Sequence, residues 1–275
     1  AARVPRDMLA LIEGGERSLA AAARALDHVT ARGAESGLSG EVLAYRLDEV
    51  RLLAPIPRPG KILAAGKNYA EHAKEGSGGG AVELQPFPRG FVKVGSTIVG
   101  PDDPVELAGV TQQLDYEVEL AVVIGKRGRF IPREAAYDHV AGYTIINDVS
   151  ARDIQLAEAR YGNHMIGKNM DTLCPMGPWI VLRDAIADPM NLTVETRVNG
   201  ELRQRANTSE MIHDIPALIE RWSWGTLEPG DIIATGTPAG VALGGAFPYL
   251  KAGDVMECTV EGIGRLTNPV VALET

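Results

Sequence analysis

Two glutamates in an otherwise apolar segment are the residues best suited to chemistry. Glu117 and Glu119 lie two positions apart at the start of a run rich in Val, Leu, Ala and Ile that extends to Ile124. Side chains at positions i and i+2 of a β-strand point to the same face, so the two carboxylates are predicted to converge. Converging buried carboxylates repel each other and call for a cation or a retained proton. A solvent-facing pair on an edge strand is the alternative.

A third carboxylate, Asp148, ends a second strand-like run at residues 143–147. Ser150 and Asp153 resemble an N-cap and its N3 acid, which predicts that a helix begins directly after the strand. Three carboxylates without a neighbouring Cys or His cluster favour a hard cation such as Mg²⁺, Mn²⁺ or Ca²⁺ over structural zinc.

Other polar residues could bind or activate a substrate beside such a site. Arg152 and Gln155 are three apart on the predicted helix and share a face, which suits an anionic substrate. His72 and Glu75 have the same spacing, and a carboxylate that fixes the imidazole tautomer would make His72 a general base. A surface pair is the alternative reading of His72 and Glu75.

Three further features are weaker signals when each is taken alone. Lys168 follows Gly167 and could contribute to such a site. The alternative is an ordinary exposed lysine. The turn at residues 235–240, which contains Thr237, follows a strand-like run and could offer backbone N–H groups to an anion. The glycine run at residues 76–80 is either a flexible loop or the hinge of a lid.

The composition of the 275-residue chain limits the classes of partner. The formal net charge is −9, with the acids spread along the chain, so nucleic acids are not expected as partners. No apolar run approaches the roughly 20 residues that span a bilayer, so no membrane association is expected. Cys174 and Cys258 are far apart and no secretory leader is evident, which predicts core thiols and a cytoplasmic protein.

The N-terminal part of the chain differs from the rest in its pattern of apolar residues. Residues 8–29 carry apolar groups at helical spacing, interrupted at Gly14, which predicts two short helices. A strand-like piece follows at residues 45–53. The proline-rich stretch 55–60 resembles a linker, so we predict a small N-terminal α/β domain over residues 1–55 and a larger domain over 56–275.

The larger segment consists mainly of short β-branched runs cut by Gly and Pro, with few helical intervals. Helices are predicted at 150–160 and 209–222. This pattern predicts a β-rich α+β fold, because strands and helices do not alternate regularly. Strands are predicted at residues 61–65, 117–124, 143–147, 179–182, 192–198, 231–235 and 255–260.

Taken together, these segments resemble the fumarylacetoacetate hydrolase family over roughly residues 55–275. The resemblance rests on the acidic and helical motifs above and on the ordered stretches 198–202, 207–211, 227–231 and 262–264. It implies a mixed β-roll fold, a homodimer and a Mg²⁺ or Mn²⁺ ion, with Ca²⁺ as a possible substitute. One stretch departs from the family pattern: residues 78–90 are longer and richer in Gly and Pro, which leaves the lid and the substrate size open.

The resemblance also implies roles for individual residues. The implied metal ligands are Glu117, Glu119 and Asp148. The implied substrate-binding residues are Arg152, Gln155 and Thr237, and the implied catalytic residues are the oxyanion-stabilising Lys168 and the lid dyad of His72 and Glu75.

These roles lead to a hypothesis of metal-dependent hydrolysis of a carbon–carbon bond in a 2,4-dioxo acid, an acylpyruvate or a related sugar acid, to give pyruvate. His72, assisted by Glu75, would activate a water, and Lys168 would lie near the developing oxyanion. Decarboxylation of oxaloacetate and isomerisation or hydration of a 2-hydroxydienoate remain open on the same site. A catalytically silent metal-binding protein is the alternative of another class.

Overall fold

The computed structural model describes residues 4–33, 36–37, 39–75 and 86–273. Contacts within the chain divide it into two compact units, Ala1–Leu52 and Leu53–Thr275, and each is described by itself. The glycine run at residues 76–80 lies outside the described residues, as does most of the lengthened stretch 78–90.

The N-terminal unit contains two helices, α1 (Met8–Glu13) and α2 (Gly15–Arg32). The carboxylate of Asp7 caps α1 by accepting a hydrogen bond from the backbone N–H of Ala10 at 2.8 Å. Two helices are therefore present where they were predicted, but α2, with 18 residues, is not short. The strand predicted at 45–53 is wrong, because Leu47–Glu49 forms a 3-10 turn in which the carboxylate of Glu49 accepts from the N–H of Arg46.

The C-terminal unit is built mainly from strands. In chain order its elements are β1 (Ile62–Gly66), α3 (Ala70–Glu75), β2 (Arg89–Lys93), β3 (Ile98–Val99), β4 (Val105–Leu107), β5 (Leu114–Asp115), β6 (Val118–Ile124), β7 (Val140–Asn147), β8 (Ser150–Ala151), α4 (Arg152–Ala159), α5 (Ile166–Asn169), β9 (Cys174–Leu182), β10 (Thr193–Val198), β11 (Glu201–Asn207), α6 (Ile215–Trp222), β12 (Ile232–Ala234), β13 (Val255–Val260) and β14 (Gly264–Ala272).

Within the described residues, these strands form two larger sheets and one small one. The order is β2-β1-β12-β6-β7-β9-β3 in the first, β11-β10-β13-β14-β4 in the second, and β5 pairs with β8 in the third. The pairs β1/β12, β3/β9 and β4/β14 are parallel and the other pairs are antiparallel. The prediction of a β-rich α+β fold of mixed, curled sheets is confirmed.

Strand β6 directs its two faces to different environments. Val118, Leu120 and Val122 alternate along one face, are fully buried, and belong to a core that also contains Val194 of β10 and Cys258 of β13. Burial of this apolar face stabilises one register, because a shift by one residue would turn the acidic positions into the core. The opposite face of the strand therefore carries the glutamates.

The predicted N-cap of the helix after Asp148 is wrong. Ser150 belongs to β8 and its hydroxyl donates to the backbone oxygen of Asp148 at 2.9 Å, while α4 begins at Arg152. The carboxylate of Asp153 accepts instead from the hydroxyl of Thr111 at 2.6 Å. Pairing of β8 with β5 removes Ser150 from the helix start.

The helix predicted at 209–222 is correct only in its second half. The N–H of Ile212 donates to the backbone oxygen of Asn68 at 2.8 Å, which ties this segment to the chain that precedes α3. Helix α6 begins after Asp214, whose carboxylate accepts from the N–H of Ala217 at 2.9 Å.

The two cysteines are free and buried, as the sequence predicted. Burial raises the pKa of each thiol to about 12, so neither is a reactive thiolate at neutral pH. Among the described residues, no helix combines the length and apolar character that crossing a membrane requires.

Candidate metal centre

Three buried carboxylates meet where β6 and β7 lie side by side. One ligand oxygen each from Glu117, Glu119 and Asp148 lies within 4.8 Å of the others, and these residues are 4%, 1% and 1% exposed. The backbone N–H of Asp148 donates to the oxygen of Glu117 at 2.8 Å, which places the two residues opposite each other. Since β6 lies between β12 and β7, the edge-strand alternative is excluded.

Asn147, which the sequence analysis did not select, fixes the start of the acidic strand. Its side-chain oxygen accepts from the backbone N–H of Glu117 at 2.9 Å. Asn147 is 1% exposed and pairs with Val118 across the two strands. It therefore holds the backbone of Glu117 where the strand ladder ends.

Two buried lysines contact the carboxylates from different elements. The Nζ atom of Lys168, on α5, lies 2.6 Å from Oε2 of Glu117 and 2.7 Å from Oδ2 of Asp148. The Nζ atom of Lys93, at the end of β2, lies 2.6 Å from Oδ1 of Asp148 and donates to the backbone oxygen of Lys168 at 2.6 Å. Lys93 is a buried cation that was not selected from the sequence.

Arg152 links the carboxylates to Gln155, which, like Arg152, is predicted to bind substrate. Its guanidinium donates to Oε1 of Glu117 at 2.6 Å, to Oδ2 of Asp115 at 2.8 Å and to the side-chain oxygen of Gln155 at 2.9 Å. Asp115 is held in turn by the backbone N–H of Ala242 at 2.8 Å. This arrangement orients Arg152 and leaves the amide N–H groups of Gln155 available as donors.

The buried charges around this point do not cancel. The carboxylates are Asp115, Glu117, Glu119 and Asp148, and the cations are Lys93, Arg152 and Lys168. Burial alone would raise the pKa of Glu117, but the charges of Arg152 and Lys168 outweigh it and hold this pKa well below its usual range. The pKa of Glu119 is raised well above its usual value by burial and by the charges of Asp148 and Glu117.

These residues fit a hard divalent cation. The donor set consists only of carboxylate oxygens, and Glu119 is an acid whose charge the protein leaves poorly compensated. The sequence predicted that the carboxylates need a cation or a retained proton, and Lys93, Arg152 and Lys168 supply part of the compensating charge.

The predicted dyad of His72 and Glu75 lies beside the carboxylates. Nδ1 of His72 is 3.3 Å from Oε2 of Glu75, and Nε2 is 3.9 Å from Oε1 of Glu117. The other oxygen of Glu75 accepts from the backbone N–H of Gly240 at 2.8 Å. A proton on Nδ1 shared with Glu75 leaves Nε2 as the basic atom facing the cluster. The alternative of a surface pair does not hold, because His72 is 7% exposed.

The turn after β12 orients protein carboxylates. The backbone N–H of Gly236 donates to Oε2 of Glu119 at 2.8 Å, as that of Gly240 does to Glu75. Both glycines have positive φ, +98° and +105°, which favours glycine at these positions. In the same turn the hydroxyl of Thr237 accepts from the side chain of Gln204 at 2.8 Å, so its own hydrogen is free to donate.

A cavity of about 540 Å³ opens onto this cluster. Asp148 lies beneath it, in contact with Lys168, and Glu75 lies behind His72. All nine residues selected from the sequence are therefore in or directly behind one cavity. Those that line it are His72, Glu117, Glu119, Arg152, Gln155, Lys168 and Thr237.

The outer part of the cavity contains residues that the sequence analysis passed over. Phe91 lies with its ring centroid 5.1 Å from Nζ of Lys168 and 6.4 Å from the ring of His164. His164 lines the cavity with Lys67 and Arg89. No residue spacing in the sequence links these positions, because α5 and the first two strands meet only in the folded chain.

Comparison with known proteins gives the family. The family model described as the C-terminal domain of fumarylacetoacetate (FAA) hydrolase matches residues 61–271, and the chain belongs to this family. The chain is 47% identical over 271 residues to the oxaloacetate tautomerase YisK of Bacillus subtilis (strain 168), covering 97% of this chain and 87% of that protein.

Two solved structures of the family are also similar over nearly the whole chain. A fumarylacetoacetate hydrolase from Exiguobacterium antarcticum is 44% identical, with a TM-score of 0.76, over 97% of this chain and 88% of that chain. A maleylpyruvate hydrolase from Sphingobium sp. SYK-6, in complex with manganese(II) and pyruvate, is 34% identical, with a TM-score of 0.76. The match covers 97% of this chain and 86% of that chain. Family membership thus covers proteins named for different reactions.

Proposed function

We propose that this protein is a divalent-metal-dependent enzyme that interconverts the enol and keto forms of a small 2-oxo acid, with oxaloacetate as the leading substrate. The observation that carries the proposal is the orientation of the His72–Glu75 dyad, which turns a basic nitrogen towards three converging carboxylates. The similarity to an oxaloacetate tautomerase over 97% of the chain supports this choice of reaction.

Glu117, Glu119 and Asp148 would hold the cation, proposed as Mg²⁺ or Mn²⁺. A bound cation would supply Lewis-acid polarisation of the 2-oxo carbonyl. Lys93 and Lys168 fix the two oxygens of Asp148, and Arg152 fixes one of Glu117, so the ligands are held in place by contacts of their own.

His72 would move the proton in the reaction. In the enol-to-keto direction neutral Nε2 of His72 would take the proton of the C2 hydroxyl and return it to C3, while the C2–O bond becomes double and the C2–C3 double bond becomes single. Glu75 would stabilise the imidazolium that carries this proton, because its carboxylate faces Nδ1 at 3.3 Å. The reverse direction uses the same groups with neutral His72 as the base.

Substrate binding would use the remaining donors at the base of the cavity. The hydroxyl of Thr237 and the amide of Gln155 each have a free N–H or O–H after their contacts within the protein. Lys168 uses two of its three N–H bonds on Glu117 and Asp148, which leaves one for the substrate. These groups suit the carboxylate and the 2-oxo oxygen of the ligand.

Hydrolysis of a carbon–carbon bond in an acylpyruvate is the second candidate. A cavity of about 540 Å³ is much larger than a four-carbon acid requires, and the excess space would accommodate an acyl chain and an attacking water. His72 would then deprotonate the water, and Lys168 would stabilise the oxyanion. The similarity to a maleylpyruvate hydrolase supports this candidate.

The two candidates are separated by assaying purified protein with Mn²⁺ against free Mn²⁺ alone. Decay of the enol absorbance of oxaloacetate faster than with free metal, and abolished by a chelator, is the expected result. Pyruvate release from an acylpyruvate such as fumarylpyruvate would favour hydrolysis, and pyruvate release from oxaloacetate would favour decarboxylation. Absence of all three activities would contradict an enzymatic function.

A further inference from the structure

The cavity above the carboxylate cluster changes its chemical character from its base to its mouth. Glu117, Glu119 and Lys168 lie at the base and are nearly inaccessible to solvent, whereas Lys67 and Arg89 are exposed at the opposite end. The apolar side chains of Phe91, Leu156 and Ala159 also line the cavity. The same cavity thus contains the carboxylate cluster, apolar side chains and a second polar group, Lys67 with Arg89.

Strand β2 sets the order of these groups. Arg89, Phe91 and Lys93 alternate along one face of β2. Lys93 contacts Asp148, Phe91 lies over Lys168, and Arg89 is the outermost of the three. At the rise of a β-strand, Arg89 is about 7 Å further out than Phe91.

Lys67 is placed beside Arg89 by the pairing of β1 with β2. Arg89 pairs with Gly66, so the next residue, Lys67, lies at the same end of the sheet. Lys67 has a φ of +56°, an uncommon conformation for a residue with a side chain. Asn68 holds this turn, because its side-chain amide donates to the backbone oxygens of Thr235 and His213 at 2.7 and 2.9 Å.

Across the described ranges, no carboxylate forms an ion pair with either of the outer cations, Lys67 and Arg89. The pKa of Lys67 is lowered by burial and by the charge of Arg89, and the pKa of His164 is lowered by burial and by Lys168 and Arg89. Lys67 and Arg89 thus bring two positive charges to the mouth of the cavity, although the protein as a whole carries a formal net charge of −9.

From this layout we infer that Lys67 and Arg89 bind a second carboxylate of the substrate, so that the enzyme selects 2-oxo acids with an anionic group at the far end of the carbon chain. The inference rests on the proposed function, which assigns the 2-oxo acid end of the ligand to the carboxylate cluster. The long side chains of Lys67 and Arg89 reach inward for a shorter diacid and outward for a longer one. The apolar walls contact the carbon chain in between.

The test uses two unreactive ligands that differ only at the far end, 2-oxoglutarate and 2-oxopentanoate, titrated calorimetrically into the Mn²⁺-loaded full chain. Wild-type protein should bind the diacid about five- to tenfold more tightly, as expected for a partly shielded contact with two cations. The double variant K67Q/R89Q should lose this preference and bind 2-oxopentanoate within about twofold of wild type. The control K126Q/R127Q removes the same charge from residues that do not line the cavity and should retain the preference.

Equal binding of the two ligands by wild type, binding of neither, or an unchanged preference in K67Q/R89Q would overturn the inference. The proposed function is judged separately by turnover. If the preference is present and is lost in K67Q/R89Q, but no 2-oxo acid is turned over, the second carboxylate site stands and the proposed reaction fails. If oxaloacetate is tautomerised but the preference is absent, the reaction stands and the role of Lys67 and Arg89 fails.

Discussion

The Nε2 atom of His72 lies 3.9 Å from Oε1 of Glu117, one of the three converging carboxylates. That carboxylate oxygen also accepts from Arg152 at 2.6 Å, so it is already strongly bound and does not require a proton from His72. The basic nitrogen therefore faces the base of the cavity, where a substrate held by the carboxylate cluster would lie. The side chains proposed for proton transfer and for metal binding are thus different residues that lie next to each other.

Replacement of His72 tests this division directly. His72→Ala should lower turnover about 10²- to 10⁴-fold, the range typical for loss of a general base, because no other imidazole among the described residues lies beside Glu117. Mn²⁺ affinity, measured by calorimetry, should change by less than about threefold, since the carboxylates keep their other contacts. Unchanged turnover would remove His72 from the mechanism.

Glu75→Gln is expected to reduce turnover less than His72→Ala does. The amide keeps the size of the side chain but cannot stabilise an imidazolium, so turnover should fall about 10- to 100-fold. The pH–rate profile should also change, because the carboxylate facing Nδ1 would be lost, and a profile identical to wild type would show that Glu75 has only a structural role.

Metal binding should become tighter as the pH rises. The pKa of Glu119 is raised by burial and by the charges of Asp148 and Glu117, so in the metal-free protein this acid retains its proton above the usual range. A cation displaces that proton, and its affinity therefore falls as the pH is lowered. Titrating Mn²⁺ in two buffers of different ionisation enthalpy should show proton release, and equal heats in both buffers would contradict the assignment.

Lys93 should contribute to stability more than an exposed lysine does. Its ammonium lies 2.6 Å from Oδ1 of Asp148, and both side chains are nearly inaccessible to solvent. Lys93→Met leaves Oδ1 of Asp148 without its cation, with Lys168 retained on Oδ2, and should lower the free energy of unfolding by about 3 kcal/mol, as breaking a buried ion pair does. Arg127→Met, which breaks an exposed pair with Glu228, is the matched control and should cost less than about 1 kcal/mol in the same denaturant titration. Equal losses would show that burial of the Lys93 pair has no special effect.

The sequence predicted the acidic part of the site well because short-range geometry determines it. Glu117 and Glu119 share a strand face, and the spacing of Arg152 and Gln155 places both on one helix face. Arg152 and Lys168 were selected, but Lys93 escaped prediction, because it reaches Asp148 only through the packing of β2 against distant elements, and a lone lysine has no periodic signature. The predicted cap at Ser150 was wrong, because pairing of this residue in β8 outweighs its preference for a helix cap.

The close approach of α4 and α5 should be as important as the charged residues themselves. Gly167, next to Lys168, is buried, and a Cβ there would lie 2.5 Å from the backbone nitrogen of Gln155. Gly167→Ala should therefore separate the two helices, displace Lys168 and Gln155 together, and lower the free energy of unfolding by about 1–3 kcal/mol, as overpacking does. A Cβ at Gly109 meets nothing within 4 Å, so Gly109→Ala should stay within about 0.5 kcal/mol of wild type. Thermal unfolding and turnover should fall together in the first variant, and a fully active Gly167→Ala protein would show that the helices can move apart without disturbing the site.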